Sequence, residues 1–356
     1  MYKVIQWATG GVGRTTLRRI IDHPDLQLVG LYTYGMEKVG RDAGEIAKRP
    51  MTGVKATNRI EDILALDADV VIHTSRLTIP YADQNSDIER LLASGKNVIS
   101  VNGFYRPEVH GEAYAAPLHA AAKRGNATLA GIGLNPGFIA ERVALLMSGL
   151  VAKLDHIECY EMADASYNAS PGLLFETMGF GADPALNDIT KGPLAQMFTD
   201  LYAETFAYVA ASLGTSVKSL QPDHRLTLAP EDMRIAAGTV KKGTVAATDW
   251  RWNGEFADGT TMLHSLLWTS DPALHGAHDA AHWRVRLMGR PNVELSFKVE
   301  DPDPQAPPSR AGYDATAATL IRAIPEVCAA SSGFFRLPSV LPFSNRLQPP
   351  AEGAPV

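Results

Sequence analysis

The chain has 356 residues, of which 46% are hydrophobic and 20% charged, a composition typical of soluble globular proteins large enough for two hydrophobic cores. Its net charge of −6 offers no basic surface for nucleic acid or an anionic membrane, and no apolar run approaches the roughly 20 residues of a membrane span. The two cysteines, Cys159 and Cys328, cannot form a disulfide framework, so a cytoplasmic protein is expected.

Short apolar runs alternate with amphipathic segments over roughly the first 130 residues. The apolar runs predict strands at Lys3–Trp7, Leu26–Tyr32, Val70–His73, Asn97–Val101 and Thr128–Gly131. The amphipathic segments predict helices at Val12–Asp22, Ile60–Leu66, Ile88–Ala93 and Ala113–Arg124. This alternation is typical of a parallel sheet covered on both faces, so residues 1–138 are predicted to form an α/β, Rossmann-type doubly wound domain.

The pattern changes after "GIGLNPGF" at residues 131–138. The next predicted elements are a helix at Ile139–Val151, a strand in "HIECYEMADAS" and a long helix from about Leu194 to Leu213. Four later segments have the period of an antiparallel sheet with one exposed face: "TVAATDWRWNGEF", "TMLHSLLWTS", "HWRVRLMG" and "NVELSFKVE". Residues 139–305 are therefore predicted to form a second, α+β domain with a mostly antiparallel sheet.

The Pro-rich segment Asp301–Arg310 reads as a linker. A helix-like stretch, "TAATLIRAIPEV", follows it without a strand partner of its own. Residues 311–345 are therefore predicted to pack back on the first domain.

The stretch "VIQWATGGVGRTT" at Val4–Thr16 has the form of a dinucleotide-binding turn, with alanine in the first of three glycine positions. The second glycine lets the backbone approach the pyrophosphate, and the third lets the helix pack on the strand. A strand before the turn and a helix after it favour cofactor binding over a glycine turn without a ligand. The predicted contacts are Ala8, Thr9, Gly10, Gly11, Val12, Gly13 and Arg14.

The end of the second strand should carry an acid if NAD is the exclusive cofactor. Hydroxyl groups stand there instead, and Glu37 comes too late in the sequence to match. Hydroxyls and cations at this edge suit a 2′-phosphate, so NADP is expected to be accepted, and NAD with it. The residues concerned are Tyr32, Thr33, Tyr34, Lys38, Arg41 and Arg14; the alternative is that Lys38 and Arg41 are solvated loop charges.

Polar residues follow two further strands at the edge where open parallel sheets bind ligands. In "VVIHTSR", His73, Thr74 and Ser75 are predicted to line the cofactor site, with His73 as a lining rather than a catalytic residue. Asn102, after the strand that begins at Asn97, belongs to the same predicted set.

Glu108 in "SVNGFYRPEVHG" precedes a helix. Its structural interpretation is an acid favoured by the helix macrodipole. Its functional interpretation is a carboxylate that takes a proton from ammonium or stabilises an iminium, provided that burial raises its pKa. The residues alone leave both open.

Four segments, "VIQWATGGVGR", "KVGRDAGEI", "GLNPGF" and "MGFG", resemble the family of 2,4-diaminopentanoate dehydrogenase and the native NAD(P)H-dependent amine dehydrogenases, whose first domain is similar to that of dihydrodipicolinate reductase. The resemblance implies a homodimer that converts small ketones or aldehydes and ammonia to primary amines with NADPH or NADH. It also implies a catalytic glutamate near the end of the fifth strand. Glu108 is the best match and Glu112 the second, although the intervening "NGFYRP" departs from the Glu-rich pattern of some members.

A small apolar substrate pocket is expected from the resemblance. Its candidate walls are Tyr167, Asn168, Met178 and Phe180, which are equally interpretable as core and turn residues.

Several other features favour different functions. The spacing of His275, His278 and His282 suggests a metal site, but a solvated loop is preferred and no metal is predicted. Lys241 and Lys242 lack the paired-histidine motif of dihydrodipicolinate reductase. Arg142 or Arg251 would bind a substrate carboxylate in a diamino acid dehydrogenase. A non-catalytic NADP-sensing protein is the alternative from another class.

Overall fold

A computed structural model describes residues 1–275, 283–307, 309–337 and 342–344. The chain divides into two compact units. The first consists of Met1–Phe138 and Ala311–Leu337, and the second of Ile139–Arg310 with the described residues after Leu337. The first unit is thus built from the N-terminal part of the chain and a later segment, Ala311–Leu337.

The strands of the described residues are, in chain order, β1 (Tyr2–Trp7), β2 (Leu26–Tyr32), β3 (Ala56–Thr57), β4 (Val70–His73), β5 (Asn97–Ser100), β6 (Thr128–Gly131), β7 (Lys153–Asp164), β8 (Val217–Pro222), β9 (Arg225–Leu228), β10 (Met233–Ile235), β11 (Gly238–Val240), β12 (Val245–Phe256), β13 (Thr261–Thr269), β14 (Trp283–Arg290), β15 (Val293–Phe297) and β16 (Gly333–Phe334). The α-helices of the same residues are α1 (Gly11–Asp22), α2 (Ala43–Ala47), α3 (Ile60–Leu64), α4 (Asn85–Ala93), α5 (Glu112–Gly125), α6 (Leu145–Ser148), α7 (Pro193–Ser212), α8 (Ser309–Arg322) and α9 (Ile324–Ala329).

The first unit contains a parallel sheet with the strand order β16-β6-β5-β4-β1-β2-β3. Helices cover both of its faces, because α3, α4 and α5 contribute to one hydrophobic cluster, whereas α1, α8 and α9 contribute to another. Helix α1 buries Gly13, Leu17 and Ile20, which share one helical face. The predicted doubly wound α/β fold is confirmed.

The second unit contains a mixed sheet with the order β15-β14-β7-β13-β12-β8, and β9 also pairs with β12. The β7–β13 pair is parallel and the other pairs of this sheet are antiparallel, which confirms the predicted mostly antiparallel sheet. Helix α7 packs on one face, where the Tyr202 ring stacks on Trp252 at 4.4 Å between centroids. The predicted helix at Ile139–Val151 is a π-helical turn, Ile139–Ala144, followed by the short α6.

Candidate dinucleotide-binding and active site

The glycine turn joins β1 to α1 at the carboxyl edge of the parallel sheet. Ala8, in the first glycine position, has a φ of +72°, and its N–H donates to the carbonyl of Tyr32 at 2.9 Å. A left-handed conformation costs a non-glycine residue about 1 kcal/mol. The alanine therefore keeps the tight turn that the fingerprint requires, with some backbone strain.

Gly13 and Gly10 have opposite surroundings. A Cβ placed on Gly13 would lie 2.4 Å from the Ala8 carbonyl oxygen and 2.7 Å from Thr74 Oγ1, whereas one on Gly10 would meet no atom within 4 Å. Gly13 thus permits close packing of helix on strand, and Gly10 leaves open backbone at the start of α1. This surface fits the pyrophosphate of a dinucleotide, which needs close access to backbone N–H groups at a helix N-terminus.

Aromatic and hydroxyl groups meet where β1 and β2 end. The rings of Trp7 and Tyr32 stack at 3.7 Å, and Trp7 Nε1 donates to the Tyr34 hydroxyl at 2.9 Å. Thr9 and Thr33 place their hydroxyl oxygens 3.2 Å apart. Tyr34 remains 56% exposed and is thus accessible to a ligand at this edge.

The predicted cations near this edge are mostly paired. Lys38 lies 3.6 Å from Glu37, and Arg41 lies 2.8 Å from Glu45. Arg14 is exposed and forms no ion pair with any residue that the structure describes.

Glu37 lies in the loop that follows β2. Its carboxylate folds back over Gly35, because a Cβ on Gly35 would be 2.5 Å from Glu37 Oε1. The acid therefore lies beside the first residues of this loop, beyond the end of the strand at Tyr32.

The ends of β4 and β5 form an internal polar network. His73 is 1% exposed, its Nδ1 lies 3.1 Å from Ser100 Oγ, and burial lowers its pKa to about 3. The Thr74 hydroxyl donates to the Trp7 carbonyl at 2.8 Å. Asn102 Nδ2 donates to the Ser75 carbonyl at 2.5 Å. In this unit His73 and Thr74 thus hold the strand ends together, and Ser75 is the more exposed of the three predicted lining residues.

Glu108 lies in a turn of 3₁₀ helix, Pro107–His110, and its side chain is 47% exposed. The catalytic interpretation of Glu108 required a buried carboxylate, and within this unit the carboxylate is not buried. Arg336 Nη2 donates to Glu108 Oε1 at 2.5 Å, and its Nη1 donates to the Tyr105 carbonyl at 3.1 Å. Glu112 is also exposed, in the first turn of α5. Sequence reasoning missed Arg336, because no local pattern links positions 228 residues apart.

The predicted substrate walls have different surroundings within the second unit. Met178 and Phe180 are buried core residues, and the Asn168 side chain accepts a hydrogen bond from the backbone of Ser170. Tyr167 lines a cavity of about 510 Å³, but its described lining includes four carboxylates, of Asp164, Glu231, Asp232 and Asp271. The described lining of this cavity is mostly polar, and the apolar substrate pocket stays a prediction.

The residues considered for other functions are engaged in the second unit. Arg251 lies 3.2 Å from Asp223 and 3.5 Å from Asp249, and Lys241 lies 2.7 Å from Asp232. Arg142 lies on the π-helical turn and has interaction partners there.

His275 Nε2 lies 2.9 Å from Thr269 Oγ1, while His278 and His282 fall outside the described residues. Within the described ranges, no group of three His, Cys, Asp or Glu side chains is arranged to hold a metal ion. None of the helices in those ranges is long and apolar enough to span a membrane.

Comparisons with known proteins place this geometry in context. No protein-family model matches the chain. An amine dehydrogenase from Streptomyces virginiae is 28% identical over 349 residues, which cover 94% of this chain and 95% of that protein. The structure of an amine dehydrogenase from Mycobacterium smegmatis superimposes with a TM-score of 0.76 at 19% identity and 94% coverage of each chain. A scyllo-inositol dehydrogenase from Lactobacillus casei, solved with NAD(H) and scyllo-inositol, has a TM-score of 0.57 at 13% identity, covering 92% of this chain and 89% of that one.

These comparisons confirm the resemblance to amine dehydrogenases and the predicted fold class. They also bear out the predicted class of enzyme, an oxidoreductase with a nicotinamide cofactor. The choice of cofactor, the substrate, the site residues and the oligomeric state stay predictions.

Proposed function

We propose that the protein is an amine dehydrogenase that combines small ketones or aldehydes with ammonia to give primary amines, and that also runs the reverse oxidative deamination. The observation that carries the proposal is similarity to an amine dehydrogenase over 94% of the chain, together with a glycine turn that leaves Gly10 open. When bound, the nicotinamide cofactor supplies the hydride that reduces the iminium carbon of the substrate.

In the proposed mechanism, the first unit supplies the phosphate-binding backbone and a carboxylate. The open backbone at Gly10 and the first turn of α1 bind the pyrophosphate through N–H groups. Arg336 holds Glu108 Oε1, so the carboxylate has a defined orientation, while Oε2 forms no hydrogen bond with the described residues. Ammonia adds to the substrate carbonyl, water leaves, and the free Oε2 side of the carboxylate stabilises the positive charge of the iminium that results.

The catalytic role of Glu108 is tested with a matched pair of variants. Glu108→Gln should bind dinucleotide normally but lose about 100-fold or more in amination rate, because a neutral amide cannot stabilise the positive charge of the iminium. Glu112→Gln changes a second exposed carboxylate of the same region and should retain activity. Initial rates with NADH and NADPH against cyclohexanone and short aldehydes in ammonium buffer provide the measurement.

The outcomes separate the alternatives. Loss in Glu112→Gln alone would transfer the role to Glu112, and full activity in both variants would reject a carboxylate mechanism at this turn. Tight NADP binding by the wild type without turnover of any carbonyl would favour the sensing protein instead.

For the cofactor, we propose that both NADP and NAD are used. Arg14, which is exposed and has no ion pair among the described residues, supports binding of a 2′-phosphate, whereas the Glu37 carboxylate above Gly35 supports binding of a ribose diol. Glu37→Gln should therefore raise the ratio of NADPH to NADH affinity several-fold, since a like-charge repulsion is removed. An unchanged ratio in direct binding titrations would remove Glu37 from the cofactor site.

The resemblance to the amine dehydrogenases also supports a homodimer, and the two free cysteines, Cys159 and Cys328, support a cytoplasmic location. Sedimentation equilibrium of the purified chain measures its oligomeric state. Fractionation of the cells that make the protein measures its location.

A further inference from the structure

Helix α8, from the end of the chain, reaches the glycine turn within the first unit. The Tyr313 ring lies against Gly11 at the first turn of α1: a Cβ on Gly11 would be 2.8 Å from Tyr313 Cζ and 3.0 Å from its hydroxyl oxygen. The aromatic ring thus occupies the space that a side chain at position 11 would need. Gly11 and Tyr313 are neighbours only because the chain returns to this unit after Arg310.

The position of Tyr313 is secured by its own helix. Asp314, the next residue, accepts two hydrogen bonds from Arg19 of α1, at 3.1 Å from Nε and 2.7 Å from Nη2. One and two turns further on, Ala317 and Leu320 are fully buried, and Leu320 belongs to the same hydrophobic cluster as Ile20 of α1. The ring is therefore held against the turn by an ion pair and by the core.

The Tyr313 hydroxyl has no hydrogen-bond partner among the residues that the structure describes, although the residue is partly buried. It lies at the N-terminal end of α1, where backbone N–H groups without intrahelical partners attract anions. Arg14 adds a cation one turn along the same helix. A diphosphate at this place would provide the acceptor that the hydroxyl lacks.

We propose that Tyr313 is part of the dinucleotide site, with its ring covering the glycine turn and its hydroxyl donating to the cofactor pyrophosphate. The inference rests on the dinucleotide binding of the proposed function. It adds one residue of α8 to a dinucleotide site whose other proposed phosphate contacts lie in the glycine turn between β1 and α1.

The test is direct binding to Tyr313→Phe, which keeps the ring and removes the hydroxyl. Titrations with NADH, ADP and adenosine separate ligands that contain the diphosphate from one that lacks it. The variant should bind NADH and ADP about tenfold more weakly and adenosine unchanged, since one hydrogen bond to a charged group is lost. Tyr2→Phe, which changes a partly buried tyrosine at the start of β1, is the matched control and should leave all three affinities unchanged.

Wild-type affinity of Tyr313→Phe for NADH and ADP would overturn the inference, as would an equal loss for adenosine, which would indicate a purely structural role for the tyrosine. Absence of dinucleotide binding by the wild type would instead overturn the proposed function, and this inference with it. Thermal unfolding of each variant verifies that the first unit is folded in every titration.

Discussion

Two turns at the carboxyl edge of the parallel sheet both have a strained backbone, but they expose different groups. Ala8, after β1, has a φ of +72°, and Phe104, after β5, has a φ of +66°. The first turn presents open backbone at Gly10, whereas the second buries Phe104 completely and leaves Glu108 exposed. Both turns thus have backbone strain. They differ in the group that is accessible: the backbone at Gly10 in the first and the side chain of Glu108 after the second.

Two carboxylates of the same unit extend the comparison. Asp42 is buried, and its oxygens accept hydrogen bonds from the backbone N–H groups of Gly44, Thr52 and Gly53 and from the Thr52 hydroxyl. Glu108 is exposed and has one arginine partner. A carboxylate whose acceptor sites are all used maintains the fold, while one with a free oxygen remains available for chemistry.

The largest effect on dinucleotide binding is expected at Gly13. Gly13→Val should abolish detectable dinucleotide binding and lower the free energy of unfolding by about 1–3 kcal/mol, because the new side chain collides with the Ala8 carbonyl and the Thr74 hydroxyl. Binding titrations and denaturant unfolding measure both effects. Gly312→Ala is the control, since a Cβ there meets no atom within 4 Å. Normal cofactor affinity in Gly13→Val would show that the turn does not depend on close helix packing.

Asp42→Asn should cost about 2–4 kcal/mol of stability, because the amide NH₂ group faces donors instead of accepting from them. The contrasting Glu108→Gln should cost less than about 1 kcal/mol, as is usual for an exposed ion pair. Urea unfolding of the two variants compares them. Equal losses would contradict the distinction between the two carboxylates.

The loss of stability in Asp42→Asn should also depend on pH. Hydrogen bonding, foremost from the Thr52 backbone, lowers the pKa of Asp42 below its ordinary value of 3.8. A lowered pKa in the folded state means that the carboxylate stabilises the protein fully above pH about 4 and loses this contribution as the pH falls through the folded-state pKa. The stability difference between wild type and Asp42→Asn should therefore shrink in acid, and a difference that grows there would contradict this account.

The smallest effect is expected at Ala8. Ala8→Gly should raise the free energy of unfolding by no more than about 1 kcal/mol, because glycine tolerates the positive φ but loses more entropy on folding. Dinucleotide affinity should be retained, since the backbone of the turn is unchanged. A marked loss of affinity would show that the Ala8 methyl group contacts the cofactor.

Much of the first unit could be predicted from local pattern. The bounds of β2, β4 and β6 coincide with the predicted strands. Strands β4 and β6 are buried at every residue, as expected for central strands of a parallel sheet covered on both faces. The two-residue strands β3 and β16 were not predicted, since they are too short to show a period. The predicted pocket walls Met178 and Phe180 are core residues, which apolar character alone cannot distinguish from a ligand contact.

Local sequence patterns predicted most of the strands and helices of the first unit, the glycine turn and the resemblance to amine dehydrogenases, because these depend on periodicity and on residues close together in the chain. The availability of individual side chains followed from the tertiary fold alone. The tertiary structure buried His73, folded Glu37 back over Gly35, paired Glu108 with Arg336 and placed Tyr313 against Gly11. Exposure and pairing depend on contacts between distant segments, and no local pattern encodes those contacts.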